Sequence, residues 1–317
     1  MNASTQASRV DVAIRPLAPS DLDAVVALDE RITGKPRRAY FERRLRAALR
    51  QPKRHLQLAA ATDAGLVGFL LARRAGGEYG RPEEAVVLEA IGVDPRNQGA
   101  HLGRRMLDAL EALMRSRGIP SLVTQVDWRN GRMMEFLART GFSLAPRHMI
   151  ERSVHRMPLP KTDEEIELSP PLVRHLRADD LAAIARIDRA ITGDDRTEYL
   201  RRKTDEVVNE SAIMVSLVAE DDGFPVAFAM VRVDYGDFGH VEPTAALDTI
   251  GVSPGFGNKG FARAVLTQVI DNLAALHVER LETEVPQDNF ELLRFLYKFG
   301  FAPSKRLSFE RSIAVSH

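Results

Sequence analysis

The sequence predicts an α/β fold that is built twice: two tandem domains, each with a mixed, mostly antiparallel sheet flanked by helices. The first observation is a duplicated motif, because residues 91–103 and 250–262 both open with Ile-Gly-Val-x-Pro. The second is that strand and helix patterns alternate in the same order in both halves of the chain. With 317 residues, 44% of them hydrophobic, the chain is long enough to bury two cores.

The repeat keeps one register over most of the chain. Gly92 aligns with Gly251, an offset of 159 positions, and the same offset aligns further pairs without an insertion. These pairs are Arg15 and Arg174, Ile32 and Ile191, Tyr40 and Tyr199, Phe69 and Phe228, Asn130 and Asn289, Gly141 and Gly300, and Arg152 and Arg311. Chance matches would not hold register across loops, so we expect two copies of one fold.

The repeat also sets the expected domain boundaries. A flexible tail is expected at residues 1–11, a first domain at 12–157 (copy one) and a second at 172–317 (copy two). The stretch between them, MPLPKTDEEIELSPP, is acidic and bounded by prolines, which is typical of a linker on the surface. We place this linker at residues 158–171.

Each copy begins with a short strand and two helices. In copy one, VAIRPLA predicts the strand, and apolar residues at helical spacing predict a helix over 21–32 with Asp21 near its N-cap. The repeated Ile-Thr-Gly then predicts the helix end, with Gly34 and Gly193 as caps. A second helix carries Tyr40 in copy one and Tyr199 in copy two.

Strands and helices alternate through the rest of each copy. β-Branched and apolar runs predict the strands, and helical spacing predicts the helices. In copy one the elements are strands 55–62, 65–74 and 85–95, helix 103–118, strand 121–128, helix 131–140 and a last strand that closes the unit. Copy two repeats this order at the same offset, so we expect two similar mixed sheets.

Composition excludes several functions. The 44 basic and 44 acidic residues give zero formal net charge, which disfavours nucleic acid or a membrane as the partner. Without cysteine there is no disulfide or thiolate nucleophile, and the eight histidines show no metal-ligand spacing.

The polar first residues carry no apolar signal segment, so we expect a cytoplasmic protein. An arginine-rich segment, residues 35–54, fits a solvated helix face or a surface that recognises an acidic substrate.

The loop after each repeated proline is a candidate anion site. A strand that ends at Pro95 or Pro254 and turns into a helix leaves backbone N–H groups that point toward one spot. Glycine in such a loop admits the close approach of a phosphate and permits positive φ. A glycine-rich turn alone is weak evidence, but here the loop lies between a strand and a helix at matching distances in both copies.

With these motifs in place, the chain resembles the GNAT superfamily of acyl-CoA-dependent N-acyltransferases, over residues 12–152 and 172–311. The family's pyrophosphate loop reads Gln/Arg-x-x-Gly-x-Gly/Ala and leads into a helix. The resemblance therefore implies acetyl-CoA as cofactor and implies cofactor-binding loops at Gln98, Gly99, Ala100, His101 and Gly103 in copy one and at Gly257, Asn258, Lys259, Gly260, Phe261 and Ala262 in copy two.

Each loop departs from the family pattern once. Copy one has His101 in place of the middle glycine of the pattern. Three interpretations stay open: the imidazole occupies the volume of the cofactor, it donates a hydrogen bond to phosphate, or it is only a solvated loop residue. Copy two has Gly257 in place of the leading Gln/Arg, which leaves the backbone N–H groups intact. We therefore expect copy two to be the better acetyl-CoA site.

The resemblance assigns further cofactor contacts. The strand before the loop would pair with the pantetheine arm through Ile91 and Val93, or through Ile250 and Val252, whose side chains equally fit a β core. Asn130 and Asn289 match the family's asparagine that reaches the cofactor. Both also fit the alternative of a helix N-cap.

The family's usual proton donor is missing. Many members use a tyrosine seven residues after the asparagine, but those positions hold Leu137 and Leu296, and Tyr297 would face away. As catalytic candidates we therefore take Glu89 and Asp248, which strand alternation places on the same face as Ile91 and Ile250. Each carboxylate has two possible roles. It could act as a base that takes the amine proton through water, or it could only form hydrogen bonds within the strand pair.

The leading hypothesis is an N-acetyltransferase that transfers an acetyl group from acetyl-CoA to a primary amine of a small molecule or a protein, by direct attack. One alternative is a non-catalytic acyl-CoA sensor or interaction protein, which the two missing tyrosines motivate. Another is a division of labour, with one catalytic copy and one structural copy. The sequence does not identify the acceptor, and it leaves a homodimer open.

Overall fold

The computed structural model describes residues 11–81, 83–155, 171–205, 215–234, 238 and 243–315. The predicted tail at 1–11 and the predicted linker at 158–171 lie almost wholly outside these residues. Within them, no helix is long and apolar enough to cross a membrane.

Copy one forms seven strands and four α-helices within the described residues. In chain order these are β1 (Ala13–Pro16), α1 (Leu22–Thr33), α2 (Arg38–Arg50), β2 (His55–Thr62), β3 (Gly65–Gly76), β4 (Glu84–Val93), α3 (Leu102–Arg115), β5 (Ser121–Asp127), α4 (Gly131–Arg139), β6 (Ser143–Leu144) and β7 (Arg147–Ser153). Gly34 ends α1 with φ of 74°, and Gly193 has φ of 79° at the matching place, which confirms the two predicted caps.

Copy two repeats these elements in the same order over its described part. They are β8 (Leu172–His175), α5 (Leu181–Thr192), α6 (Thr197–Asp205), β9 (Leu217–Asp221), β10 (Phe224–Asp234), β11 (Thr244–Val252), α7 (Phe261–Ala275), β12 (Arg280–Pro286), α8 (Phe290–Lys298), β13 (Ala302–Pro303) and β14 (Arg306–Ser312). The offset of 159 relates the starts of β1 and β8, of α1 and α5, and of β5 and β12. The tandem fold is therefore confirmed.

The two sheets exchange their last strands. The first sheet has the order β1-β2-β3-β4-β5-β14-β6, and the second has β8-β9-β10-β11-β12-β7-β13. β7 of copy one pairs antiparallel with β12, and β14 of copy two pairs antiparallel with β5. The expectation that each copy is closed by its own last strand is therefore wrong. Each sheet is mixed and mostly antiparallel, with parallel pairs at β4–β5 and β11–β12.

Helices cover both faces of each sheet. On one face of the first sheet, Met106 and Leu110 of α3 pack against Leu70 and Leu88. On the other face, α1 and α2 pack against β3 through a separate apolar cluster that includes Phe69. Copy two has the same two layers, with α7 on one face and α5 on the other. The sheet therefore has a buried middle, and its strand ends stay available for a site.

The repeated glycine of Ile-Gly-Val allows α1 to approach β4 closely. A Cβ on Gly92 would lie 2.6 Å from the Phe69 ring and 2.9 Å from Ile32 Cδ1. In copy two, a Cβ on Gly251 would lie 2.9 Å from both Ile191 Cδ1 and Phe228 Cε1. Such contacts are too short for a side chain, so glycine fixes where each helix crosses the strand that leads to the loop.

Candidate functional site

In each copy, two parallel strands separate next to the proline loop. The β4–β5 ladder ends at the pair Val87 and Val123, although β4 continues to Val93. The Thr124 hydroxyl donates to the Leu88 carbonyl oxygen at 2.9 Å and closes the base of the gap. In copy two the ladder ends at Ala246, and Thr283 donates to Leu247 O at 2.8 Å. Beyond these points, one edge of β4 or β11 faces the gap.

A β-bulge marks the start of each separated segment. The register between β3 and β4 shifts so that Glu89 has no partner residue, and the register between β10 and β11 skips Asp248 in the same way. Bulges re-aim side chains and are frequent beside active sites. The two catalytic candidates are thus the bulge residues of their strands.

The two bulges contradict the expectation that each catalytic candidate shares a strand face with the isoleucine two positions later. Alternation places Glu89 and Ile91 on one face, yet Glu89 pairs with Arg44 of α2, while Ile91 packs against the core that contains α3. Asp248 and Ile250 differ in the same way, since Ile250 packs on the α7 side and Asp248 pairs with Lys203 of α6. The extra residue in each strand reverses the alternation after it.

Both carboxylates are buried between two cations. Asp248 is 2% exposed and lies 3.0 Å from the Lys203 ammonium and 3.7 Å from Arg232. Glu89 is also 2% exposed and lies 3.1 Å from Arg44 and 2.8 Å from Arg73. Each buried carboxylate is therefore paired with two cations, as buried charges usually are. Its role as a base stays a prediction.

A residue of copy one enters the charge cluster of copy two. Glu78, in the turn between β3 and β4, lies 3.5 Å from the Lys203 ammonium. Burial opposes ionisation of Glu78, but the charges of Lys203 and Arg73 outweigh it and lower the pKa of Glu78 to about 2. Burial lowers the pKa of Lys203, against the opposing charges of Asp248 and Glu78. The site of copy two is therefore built from both copies.

The proline loop of copy two leaves its amides open. Gly260 is the N-cap of α7 with φ of 82°, and Asn258 has φ of 60°. A Cβ on Gly260 would meet no atom within 4 Å. Among the described residues, no hydrogen bond is formed by the backbone N–H of Gly257 or Lys259. This cradle at a helix N-terminus fits the pyrophosphate of acetyl-CoA.

The proline loop of copy one follows the same path with different side chains. His101 takes the place of Gly260 and keeps a positive φ of 56°, and Gly99 takes the place of Asn258 with φ of 93°. The His101 side chain is exposed. The amides of Gln98 and Ala100 donate weakly within the loop, at 3.5 and 3.4 Å to Pro95 O and Asn97 O. The copy-one cradle is therefore less open.

Ala262 is half-buried in the first turn of α7, and the other predicted cofactor residues fall into two groups. Asn130 and Asn289 are exposed and cap α4 and α8, since their Oδ1 atoms accept from Met133 N and Leu292 N at 3.1 Å. Their amide N–H groups are the donors that a cofactor would use. The second group packs against the core or approaches a helix closely: Ile91, Val93, Ile250, Val252, Phe261 and Gly103. Because their side chains pack inside the protein, only the backbone groups of these residues are left to contact a cofactor. The cofactor contacts of both groups stay predictions.

The usual acid positions hold no acid. Leu137 and Leu296 are fully buried, and Tyr297 is 44% exposed; that Tyr297 faces away from the site stays a prediction. Among the described residues, no group of three or more histidine or acidic side chains is placed to hold a metal ion.

Sequence reasoning missed the cations of the site. Arg44 and Lys203 lie 159 positions apart, and so do Arg73 and Arg232, so each copy has a matched pair beside its bulge carboxylate. A search for charge preserved at the repeat offset would have found them. The same search would have paired Glu78 with Asp237, but it would not have shown that Glu78 contacts the other copy.

Comparison with known proteins identifies the family. The model of the acetyltransferase (GNAT) family matches residues 22–142 and 180–301. A mycothiol acetyltransferase from Propionibacterium freudenreichii subsp. shermanii is 39% identical over 88 residues, which cover 27% of this chain and 27% of that protein.

Two solved structures share the whole fold. A GCN5-related N-acetyltransferase from Sphaerobacter thermophilus has a TM-score of 0.65 at 16% identity, over 96% of this chain and 97% of that one. A tandem GNAT protein from the clavulanic acid biosynthesis pathway has a TM-score of 0.64 at 16% identity, over 97% and 100% of the two chains. The chain therefore belongs to the acetyltransferase (GNAT) family and carries the family fold twice.

Proposed function

We propose that this protein transfers an acetyl group from acetyl-CoA to a primary amine by direct attack, and that copy two is the working site. The observation that carries this proposal is the gap between β11 and β12. It opens beside the amides of Gly257 and Lys259, which form no hydrogen bond to another residue in the described part of the chain. Family membership and the mycothiol acetyltransferase relative support acetyl transfer over a sensor.

Residues of copy two would hold the cofactor along its length. The amides of Gly257 and Lys259 and the N-terminus of α7 would bind the pyrophosphate. The open edge of β11, at Ile250 and Val252, would pair with the pantetheine arm as an added strand. When bound, acetyl-CoA supplies the acetyl thioester.

Asp248 would act as the general base for the attacking amine. Attack forms the N–C bond, and as the C–S bond breaks the nitrogen gives up a second proton, which passes through water to the departing thiolate. Attack requires a neutral amine, so one proton must first leave the ammonium. The Asp248 carboxylate accepts this proton through water while Lys203 and Arg232 hold it in place. The departing thiolate needs less help than an alkoxide, since a thiol pKa is about 8.5. This suits a site with leucine at the usual acid position.

The acceptor and the assembly remain proposals. The relative's name points to a small molecule, so we place small amines before protein amines. Zero net charge is the ground for proposing neither nucleic acid nor a membrane as partner. We also propose a cytoplasmic location, and the sequence leaves a homodimer open.

The test is acetylation of an amine panel that contains small amines and a peptide with a free N-terminus and lysines. Release of the CoA thiol and the mass of the product are both measured. We expect at least one amine to be acetylated by the parent chain and the reaction to be lost in Gly260→Asp. Tight acetyl-CoA binding without acetylation of any amine would support the sensor instead.

A further inference from the structure

The turn between β3 and β4, residues 76–81, belongs to copy one in sequence but packs on copy two. Arg196 donates to Gly77 O at 2.5 Å, and Arg202 donates to Gly76 O at 2.7 Å. A Cβ on Gly77 would lie 2.2 Å from the Tyr199 ring, so the turn lies directly against that ring. Copy two therefore holds this turn in one position, which we call the crossing turn.

Tyr79 is the residue that the crossing turn presents to copy two. It is a non-glycine residue at positive φ, 55°, and its carbonyl oxygen accepts from Arg147 of β7, a strand in the second sheet. Strained backbone of this kind persists where the surroundings hold it, and it clusters at functional sites. The constraint comes here from contacts across the two copies.

One cavity is lined by residues of both copies and includes Tyr79. Its lining includes Tyr79 and Arg81 from copy one and Arg232 and Glu284 from copy two. Arg232 is a partner of Asp248, and the neighbouring Glu78 shares Lys203 with Asp248. Asp248 itself does not line the cavity, but its partner Arg232 does, so an amine bound in the cavity lies beside Tyr79 and one side chain away from Asp248.

The phenol of Tyr79 is a hydrogen-bond donor. The residue as a whole is half-buried, yet burial of its hydroxyl and then the charge of Asp248 raise its pKa well above the usual value. The hydroxyl therefore keeps its proton throughout the neutral range. It can donate to an oxygen of a bound molecule but cannot act as a base.

The matching turn of copy two makes the reciprocal contact without a hydroxyl. Phe238 lies 159 positions after Tyr79, and its φ of 51° matches. It packs against Val87 and Val123 of copy one, and the Arg306 guanidinium lies 5.5 Å from its ring centre. Copy two thus receives a phenol from its neighbour, whereas copy one receives a phenyl ring.

We propose that Tyr79 is a specificity residue for copy two, supplied by copy one, and that it selects amines carrying a second polar group with an oxygen acceptor. This inference rests on the proposed function. Within it, Asp248 receives the amine proton and the Tyr79 hydroxyl binds the oxygen of the same acceptor. A site built to bond such an oxygen discriminates against the analogue that lacks it, because its donor is then left without a partner.

The test compares Tyr79→Phe with the matched control Phe238→Tyr. Each oxygen-bearing amine of the panel is paired with the alkylamine of the same length, and kcat and KM are measured for both. For Tyr79→Phe we expect KM for the oxygen-bearing amine to rise about three- to tenfold, as for loss of one hydrogen bond. We expect KM for the alkylamine, kcat and acetyl-CoA affinity to stay within twofold. Phe238 lines the same cavity, and because Phe238→Tyr removes no hydroxyl, we expect it not to raise KM for the oxygen-bearing amine.

The outcomes separate this inference from the function on which it rests. If the parent acetylates amines but Tyr79→Phe keeps the parent preference, the specificity role is wrong and the function stands. Faster turnover in Tyr79→Phe would also overturn it, by showing that the phenol obstructs the site. If the parent acetylates no amine of the panel, the proposed function fails and this inference fails with it.

Discussion

Copies one and two share a backbone but differ at matched positions around the same strand gap. Their common frame includes buried ion pairs at equivalent places, such as Asp29 with Arg37 and Asp188 with Arg196. The differing positions, copy one first, are Glu89 and Asp248, Arg44 and Lys203, Ala90 and Thr249, and His101 and Gly260. The two copies therefore share the charge pattern that holds the frame and differ at groups that are predicted to face a ligand.

Charge and geometry favour different copies for binding the cofactor. Copy one has Arg132 beside its loop, with the guanidinium 2.8 Å from Gln98 Oε1, whereas copy two has Glu291 at that position. Copy two has the open amides and a glycine N-cap. Geometry should outweigh charge, because an exposed cation is screened by solvent while amides that already donate within the loop are less available to phosphate.

The largest effect is expected from Gly260→Asp. The carboxylate would stand at the N-terminus of α7, where it repels phosphate, and two charges 4 Å apart near a surface interact by about 4 kcal/mol. We expect acetyl-CoA affinity to fall at least about 100-fold, measured by titration calorimetry. His101→Asp in copy one is the matched control and should change affinity little. Equal losses in both variants would remove the distinction between the copies.

Asp248→Asn is expected to lower kcat by about 100-fold, as for loss of a positioned base. The loss should be greatest at low pH, where most of the amine is protonated, while acetyl-CoA affinity stays near that of the parent. Glu89→Gln is the control in copy one and should leave kcat within about threefold, below the range typical of a catalytic base. A pH–rate profile that Asp248→Asn leaves unchanged would rule out the base assignment.

Folding must be measured for both carboxylate variants. Removing one partner of a buried ion pair destabilises a protein by about 3–5 kcal/mol. In copy two, Glu78 remains beside Lys203 and should limit the loss. Urea unfolding of each variant therefore accompanies the kinetics, and kcat is compared only under conditions where the chain is folded.

Glu282→Gln should reveal a smaller, pH-dependent difference. Burial raises the pKa of Glu282 to about 6, and copy one has the uncharged Val123 at this position. A raised pKa means that this group's stabilising contribution is present below its unfolded pKa and is lost as pH rises through about 6. The parent should thus lose about 2 kcal/mol relative to Glu282→Gln between pH 4 and pH 7.5. Urea unfolding of both proteins measures this, and a constant difference would contradict it.

The smallest effect is expected from His101→Gly. It removes a non-glycine residue from the left-handed region, which relieves about 1 kcal/mol of backbone strain while increasing the freedom of the unfolded chain. Net stability should therefore change by less than about 1 kcal/mol. If the imidazole blocks the loop of copy one, a second acetyl-CoA site should appear in calorimetry. Unchanged binding would place the obstacle in the weakly bonded amides of Gln98 and Ala100 instead.

The fold could be predicted because the repeat supplied two versions of every element. The strand exchange could not, since β7 and β14 both contain Glu-Arg-Ser at matching positions and each fits either sheet. Sequence pattern sets which face of a strand is buried, but it does not say which of two similar sheets receives it.

The site was predicted in part. The loop motif located Gly260 and His101, because a local pattern specifies a strand, a turn and a helix. The bulges at Glu89 and Asp248 were missed, since one inserted residue leaves the composition of a strand unchanged and reverses its alternation. Glu78 was missed because it contacts Lys203, 125 positions further along the chain, through the other copy.

The central claim is that copy two alone provides the working cofactor site. Calorimetric titration of the parent chain with acetyl-CoA tests this most directly, because the number of sites per chain follows from the titration itself. We predict one site per chain, retained in His101→Asp and lost in Gly260→Asp. Two equivalent sites, or one site that His101→Asp removes, would contradict the account.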